Sequence, residues 1–61
     1  MADLEQYPDI MTVEDLMDFL SIGKNSAYGL LQSGAIRTLR IGRIYRIPKV
    51  AVYEYIGKRE V

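Results

Sequence analysis

Sixty-one residues confine the chain to one domain, which buries only about 60% of the surface its unfolded form exposes, so the core is compact and its margin small. The chain has neither cysteine nor histidine, which excludes a disulfide staple and a zinc finger and leaves packing as the source of stability. Hydrophobic residues make up 49% of the sequence, enough for a core, yet no apolar run is long enough to span a membrane.

The formal net charge of zero conceals a division. Residues 1–20 carry Asp3, Glu5, Asp9, Glu14, Asp15 and Asp18 with no base, whereas residues 21–61 hold all eight bases against Glu54 and Glu60. This is the pattern of a molecule with one face suited to a polyanion and another repelled by it, although the solvated faces of a small soluble domain have the same composition.

Residues 1–11, MADLEQYPDIM, read as an irregular acidic arm in which Pro8 restricts Tyr7 to extended conformations. The arm lacks the basic and apolar regions of a signal peptide, so a cytoplasmic protein is expected, with its folded domain over residues 12–61. Thr12 before VEDLMDFL is a helix-start signal: threonine caps, the acids of the first turn complement the helix dipole, and Val13, Leu16, Met17 and Leu20 share one face. A first helix is therefore expected over 13–20. After SIG, a second helical pattern runs through KNSAYGLLQSG, with Gly23 as a modest N-cap, Ala27, Leu30 and Leu31 as the apolar stripe, and Gly34 as a closing residue of positive φ. Two short helices about three residues apart are the geometry of a helix-turn-helix.

The stretch RTLRIGRIYRI follows, with arginine at Arg37, Arg40, Arg43 and Arg46. Its glycine and β-branched residues read as a two-stranded hairpin. If Leu39 and Ile41 point inward on one strand and Tyr45 and Ile47 on the next, Leu39 faces Ile47, Ile41 faces Tyr45, and the loop is Gly42-Arg43-Ile44. Arg40 then stands opposite Arg46 with Arg43 at the tip. A two-residue loop of Gly42-Arg43 is the rival, since glycine at the first central position suits a type II′ turn. The three-residue loop is preferred because the alternative mixes arginine with leucine on each face. Pro48 is suited to the first position of a third helix, with Val50, Tyr53 and Ile56 or Ala51 and Tyr55 at helical spacing. Gly57 weakens or ends that helix, and the tail KREV is expected to fray. The elements amount to an α+β fold of three short helices with an antiparallel hairpin between the second and third.

Nothing in the chain is equipped for catalysis. Ser21, Ser26 and Ser33 have no base to activate them, and there is no glycine-rich phosphate loop. The acids Glu14, Asp15 and Asp18 are better read as dipole partners than as a cation site, so no enzyme, metal or cofactor is expected. The hairpin arginines point elsewhere: like charges across strands repel, and a phosphate backbone offsets that repulsion by accepting from the planar guanidinium fork and releasing counterions. Arg40, Arg43 and Arg46 form this set, with Arg37 at the mouth of the hairpin outside it; protection of an exposed edge is the competing role. On the second helix, Lys24, Asn25, Ser26, Gly29 and Gln32 lie away from the apolar stripe, and Asn and Gln match adenine edges. Tyr28 can pack its ring and offer its hydroxyl to a phosphate. Gly29 costs helix stability and is therefore suited to close approach of a groove or another chain.

Residues 11–56, MTVEDLMDFLSIGKNSAYGLLQSGAIRTLRIGRIYRIPKVAVYEYI, resemble the excisionase-type helix-turn-helix family, whose winged fold is related to that of MerR regulators. The most specific parts are the helix pair ending in AYGLLQSG and the hairpin RIGRIYRIP, with Leu20, Tyr28, Gly34 and Gly42 at the family's characteristic positions. The resemblance implies a small winged helix-turn-helix protein of a mobile element that binds double-stranded DNA, its second helix in the major groove and its wing on the adjacent minor groove or phosphates. Lys24, Asn25 and Gln32 would then meet the major groove, Ser26 and Tyr28 support phosphate contacts, and Arg40, Arg43 and Arg46 hold the backbone through the wing. It also implies an excisionase, or recombination directionality factor, that binds attachment-site DNA and assists a tyrosine recombinase, with a transcriptional regulator as the related alternative. Two departures stand out: Gly23 replaces the common serine cap, and Gly29 and Gln32 stand where basic residues commonly follow the tyrosine. Both shift weight to the wing and to cooperative binding. With no heptad seam, a monomer in solution that assembles on DNA is expected. A protein-interaction module with no DNA role is the alternative of a different class.

Overall fold

The computed structural model describes residues 3–59, which form strand β1 (Ile10–Met11), helices α1 (Val13–Leu20) and α2 (Lys24–Gln32), strands β2 (Leu39–Ile41) and β3 (Ile44–Pro48), and helix α3 (Lys49–Arg59). Three helices and a hairpin between α2 and α3 give the small α+β winged helix-turn-helix expected from the sequence.

The start of α1 is fixed by a reciprocal pair. The Asp15 backbone N–H donates to the Thr12 hydroxyl, and the Thr12 N–H donates to the Asp15 carboxylate, each at 3.1 Å. This capping box satisfies two donors that the first turn leaves open, with a contribution of about 1 kcal/mol from the threonine. Helix α1 stops at Ser21, which adopts a left-handed conformation (φ 56°), and the Ile22 N–H returns to the Met17 carbonyl at 3.1 Å. Ser21, Ile22 and Gly23 are the turn. Helix α2 ends before Gly34 (φ 83°), after which the Ile36 N–H donates to the Leu30 carbonyl at 3.2 Å and Ile36 enters the core.

Leu16 of α1, Ala27 and Leu31 of α2, Ile36, Tyr45 and Ile47 of β3, and Ala51 and Val52 of α3 form the buried center. Of the two stripes compatible with the spacing in α3, the one containing Ala51 and Tyr55 faces inward, while Val50 and Tyr53 are exposed. Pro48 closes β3 instead of opening α3, and α3 runs on through Gly57 to Arg59. Of the tail expected to fray, Glu60 and Val61 lie outside the described residues.

The N-terminal stretch is more ordered than an irregular arm. Leu4–Gln6 form a 3-10 turn capped by the Asp3 side chain, and β1 pairs antiparallel with β3 in the register Ile10 to Pro48 and Met11 to Ile47. The sheet therefore has three strands in the order β1-β3-β2. Leu4 and Met11 are buried, so this stretch completes the core. Lys49 secures it: its backbone N–H donates to the Asp9 carbonyl at 2.7 Å, and its Nζ donates to the Tyr7 carbonyl at 3.1 Å.

The hairpin turns in two residues. Leu39 pairs with Arg46, Arg40 with Tyr45 and Ile41 with Ile44, which leaves Gly42-Arg43 as the loop. Gly42 alone of the two has positive φ (62°), the requirement of a type II′ turn, whose twist matches that of the flanking strands. The three-residue loop preferred from the alternation is thus replaced by its rival. Leu39 and Ile41 point outward, where Leu39, Ile41 and Ile44 are about 60% exposed.

Candidate nucleic-acid interface

Helix α2 presents a face free of intrachain partners. Lys24, Asn25, Ser26 and Gln32 are exposed, and none of their side chains has a hydrogen bond among the described residues. Gly23 provides no side-chain cap, so the first backbone N–H groups of α2 remain open toward solvent at the positive end of the helix dipole. Asn25, Gly29 and Gln32 follow one another at i, i+4 and i+7 and form one stripe along the helix. A Cβ built on Gly29 meets no atom within 4 Å. Nothing among the described residues requires a glycine there, although it costs about 0.5–1 kcal/mol relative to alanine.

Tyr28 lies at the border between this face and the core. Its half-buried ring meets the Tyr45 ring edge-to-face, with centroids 5.7 Å apart and planes at 62°. The Arg40 guanidinium in turn sits 5.3 Å from the Tyr45 ring center, and its Nε donates to the Gly42 carbonyl at 3.0 Å. Tyr28, Tyr45 and Arg40 thus form a ladder from α2 to the wing. The ladder orients the guanidinium and leaves its two terminal nitrogens without partners among the described residues. A cleft of about 360 Å³ opens beside it, lined by Lys24 and Tyr28 of α2, by Arg43, Ile44 and Tyr45 of the wing, and by the N-terminal half of α1 with the Glu14 carboxylate.

The three wing arginines do not share one face. The two-residue loop sets Arg40 opposite Tyr45, on the side facing α2, and Arg46 opposite Leu39 on the far side. Arg43 is at the tip and lines the cleft. The expected confrontation of Arg40 with Arg46 is therefore absent. The physical reason is that the hairpin extends past the core: its outer face is not buried, so burial does not select the register there and the turn chemistry does. Arg37, expected to stand apart, forms an exposed ion pair with Glu54 at 3.2 Å.

Tyr45 is not a candidate residue from the sequence, yet it positions one, Arg40. Its inward parity with Ile47 reads as core, and only the pairing with Arg40 reveals the second role. Two of the three acids of α1 have partners within the fold, and the third, Glu14, lines the cleft. Asp15 caps the helix, and Asp18 accepts from the Tyr7 hydroxyl, a hydrogen bond that, with some desolvation and the nearby carboxylate charges, pushes the Tyr7 phenol up to about 12. Among the described residues no group of three or more acidic side chains is placed to hold a metal ion, and no helix is long and apolar enough to cross a membrane.

A family model described as a helix-turn-helix domain matches residues 10–60. Over 49 residues the chain is 39% identical to a protein of Saccharopolyspora erythraea named as a probable excisionase, an alignment that covers 80% of this chain and 50% of that protein. The chain thus spans about half the length of that relative. No solved structure matches it. With the match running from β1 into α3, the chain belongs to the helix-turn-helix domain family, and its resemblance within that family is to the excisionase type.

Proposed function

We propose that the chain binds double-stranded DNA as an excisionase: it recognises attachment-site DNA and biases a tyrosine recombinase toward excision. The observation that carries this reading is that Lys24 from the start of α2 and Arg43 from the wing tip line one cleft, outnumbering its single carboxylate, Glu14, with the Arg40 guanidinium stacked on Tyr45 at its edge. A helix with unpartnered amides next to such a cleft suits a duplex. Asn25 and Gln32 enter the major groove, Ser26 and Tyr28 lie against the phosphates that border it, and Arg40 and Arg43 hold the adjoining backbone. Arg46, on the opposite face, has the smallest share. The fold suits a monomer in solution that gathers on adjacent sites.

The experiment is an NMR titration of the labelled protein with attachment-site duplex from a mobile element against a scrambled duplex, repeated over a salt series. Shifts confined to residues 24–32 and 40–45, stronger with the attachment-site duplex, are expected. With Lys24, Arg40 and Arg43 each neutralising one phosphate, log K should fall with log salt at a slope of about −3. Binding indifferent to salt, or shifts centered on the acidic N-terminal stretch, would remove this mechanism. A transcriptional regulator would use the same surface, and a footprint over a promoter rather than a recombination site separates the two.

A further inference from the structure

Gly29 stands at the middle of the exposed face of α2 and makes no contact that requires a glycine. Its φ is not positive, and alanine fits the space within the chain. Gly57, the other glycine inside a helix, sits in the last turn of α3, where the loss is smaller. The neighbours of Gly29 on its stripe are Asn25, one turn before, and Gln32, one turn after, two exposed amides with no partner among the described residues. An amide of this kind pairs with the N6 and N7 atoms of adenine in the major groove, and the thymine opposite adenine presents its C5-methyl group in the same groove. Asn25 and Gln32 are separated by about 10 Å along the helix axis, roughly three base-pair steps, with Gly29 between them.

Resting on the DNA-binding reading above, we infer that Gly29 is a specificity-determining residue: the gap left by its missing side chain receives a thymine methyl group between adenines read by Asn25 and Gln32. The helix gives up intrinsic stability at this position and gains a gap that a thymine methyl group fills and a C5-unmethylated pyrimidine does not.

The test uses the whole chain and a duplex selected by the wild-type protein from a randomised pool, prepared once with thymine and once with uracil, which lacks the C5-methyl group. Gly29→Ala should unfold at a higher temperature than wild type, so weaker binding is not a loss of fold. Its affinity for the thymine duplex should fall about tenfold or more, the scale of losing one good base contact. Its affinity for a scrambled duplex should be unchanged. On the uracil duplex the difference between Gly29→Ala and wild type should shrink to within about twofold, because the alanine methyl takes the vacated space. Equal binding of both proteins to the thymine duplex would overturn the inference. So would a loss that persists undiminished on uracil. Failure of the wild-type protein to select any duplex overturns the DNA-binding reading itself, and with it this inference, and is recognised by the absence of the parent affinity.

Discussion

The register of the wing rests on Gly42, and replacing that residue by the two mirror forms of alanine tests it. Gly42 has φ of 62°, and a Cβ added there meets nothing within 4 Å, so the effect of a methyl group is conformational and not steric crowding. An L residue held in the left-handed region costs about 1–2 kcal/mol. For a domain of this size each kcal/mol moves the midpoint of thermal unfolding by roughly 4–8 °C, so L-Ala at position 42 should lower it by about 4–16 °C. D-Ala prefers positive φ and should instead stabilise the fold by about 0.4–1 kcal/mol, by restricting the unfolded chain. Both forms can be made by chemical synthesis and compared by circular dichroism at equal concentration. The Arg40 Nε contact is to the Gly42 carbonyl, which both variants keep, so it does not confound the comparison. If L-Ala and D-Ala unfold at the same temperature, position 42 does not lie at the first central position of the turn, and the separation of Arg40 from Arg46 falls with it.

Thr12→Ala opens the capping box and should cost about 1 kcal/mol, read as an earlier unfolding transition in urea. Because the Tyr7 phenol is held at about 12 by its bond to Asp18, folding gains from this group below the ordinary tyrosine range, and the gain is lost as pH rises from about 10 to 12. Thermal unfolding of wild type against Tyr7→Phe should show a difference that shrinks across that window; a difference that grows would reverse the assignment. Arg43→Ala should weaken duplex binding on every sequence and reduce the magnitude of the salt slope by about 0.9, as measured by fluorescence anisotropy. Arg37→Ala, which breaks only an exposed ion pair with Glu54, should change stability by less than about 1 kcal/mol and leave that slope unaltered.

What could be read in the sequence followed the strength of the local signals. Thr12 before the acids of the first turn, and Gly34 after the Leu30-Leu31 stripe, are short-range chemistry, and α1 begins and α2 ends where those residues place them. The wing departs from the register that alternation predicts, because alternation presumes a buried face. Leu39, Ile41, Tyr45 and Ile47 alternate correctly for a three-residue loop, but only Tyr45 and Ile47 reach the core, and the solvent tolerates the aliphatic groups of the others. Strand β1 is two residues long, too short to display a period, and Leu4 and Met11 become core residues only once β3 offers an edge to pair with. In the candidate site, the polar face of α2 was legible from its stripe. The Tyr28, Tyr45 and Arg40 ladder was not, since it joins two elements whose relative placement no local pattern records.

Lys49 gives the N-terminal segment and the start of α3 a shared fate. With its amide on the Asp9 carbonyl, its Nζ on the Tyr7 carbonyl and 3.7 Å from the Asp9 carboxylate, and its own position at the first turn of α3, it couples residues 3–11 to the final helix. Terminal segments ordinarily fray independently, each exchanging its amide protons at its own pace. Here the Lys49 amide cannot exchange until the N-terminal segment lifts off β3, and once that segment lifts, Met11 leaves Ile47 uncovered beside α3. In deuterium exchange the N-terminal segment and the first turn of α3 should therefore lose protection as one unit, ahead of the helix pair between them.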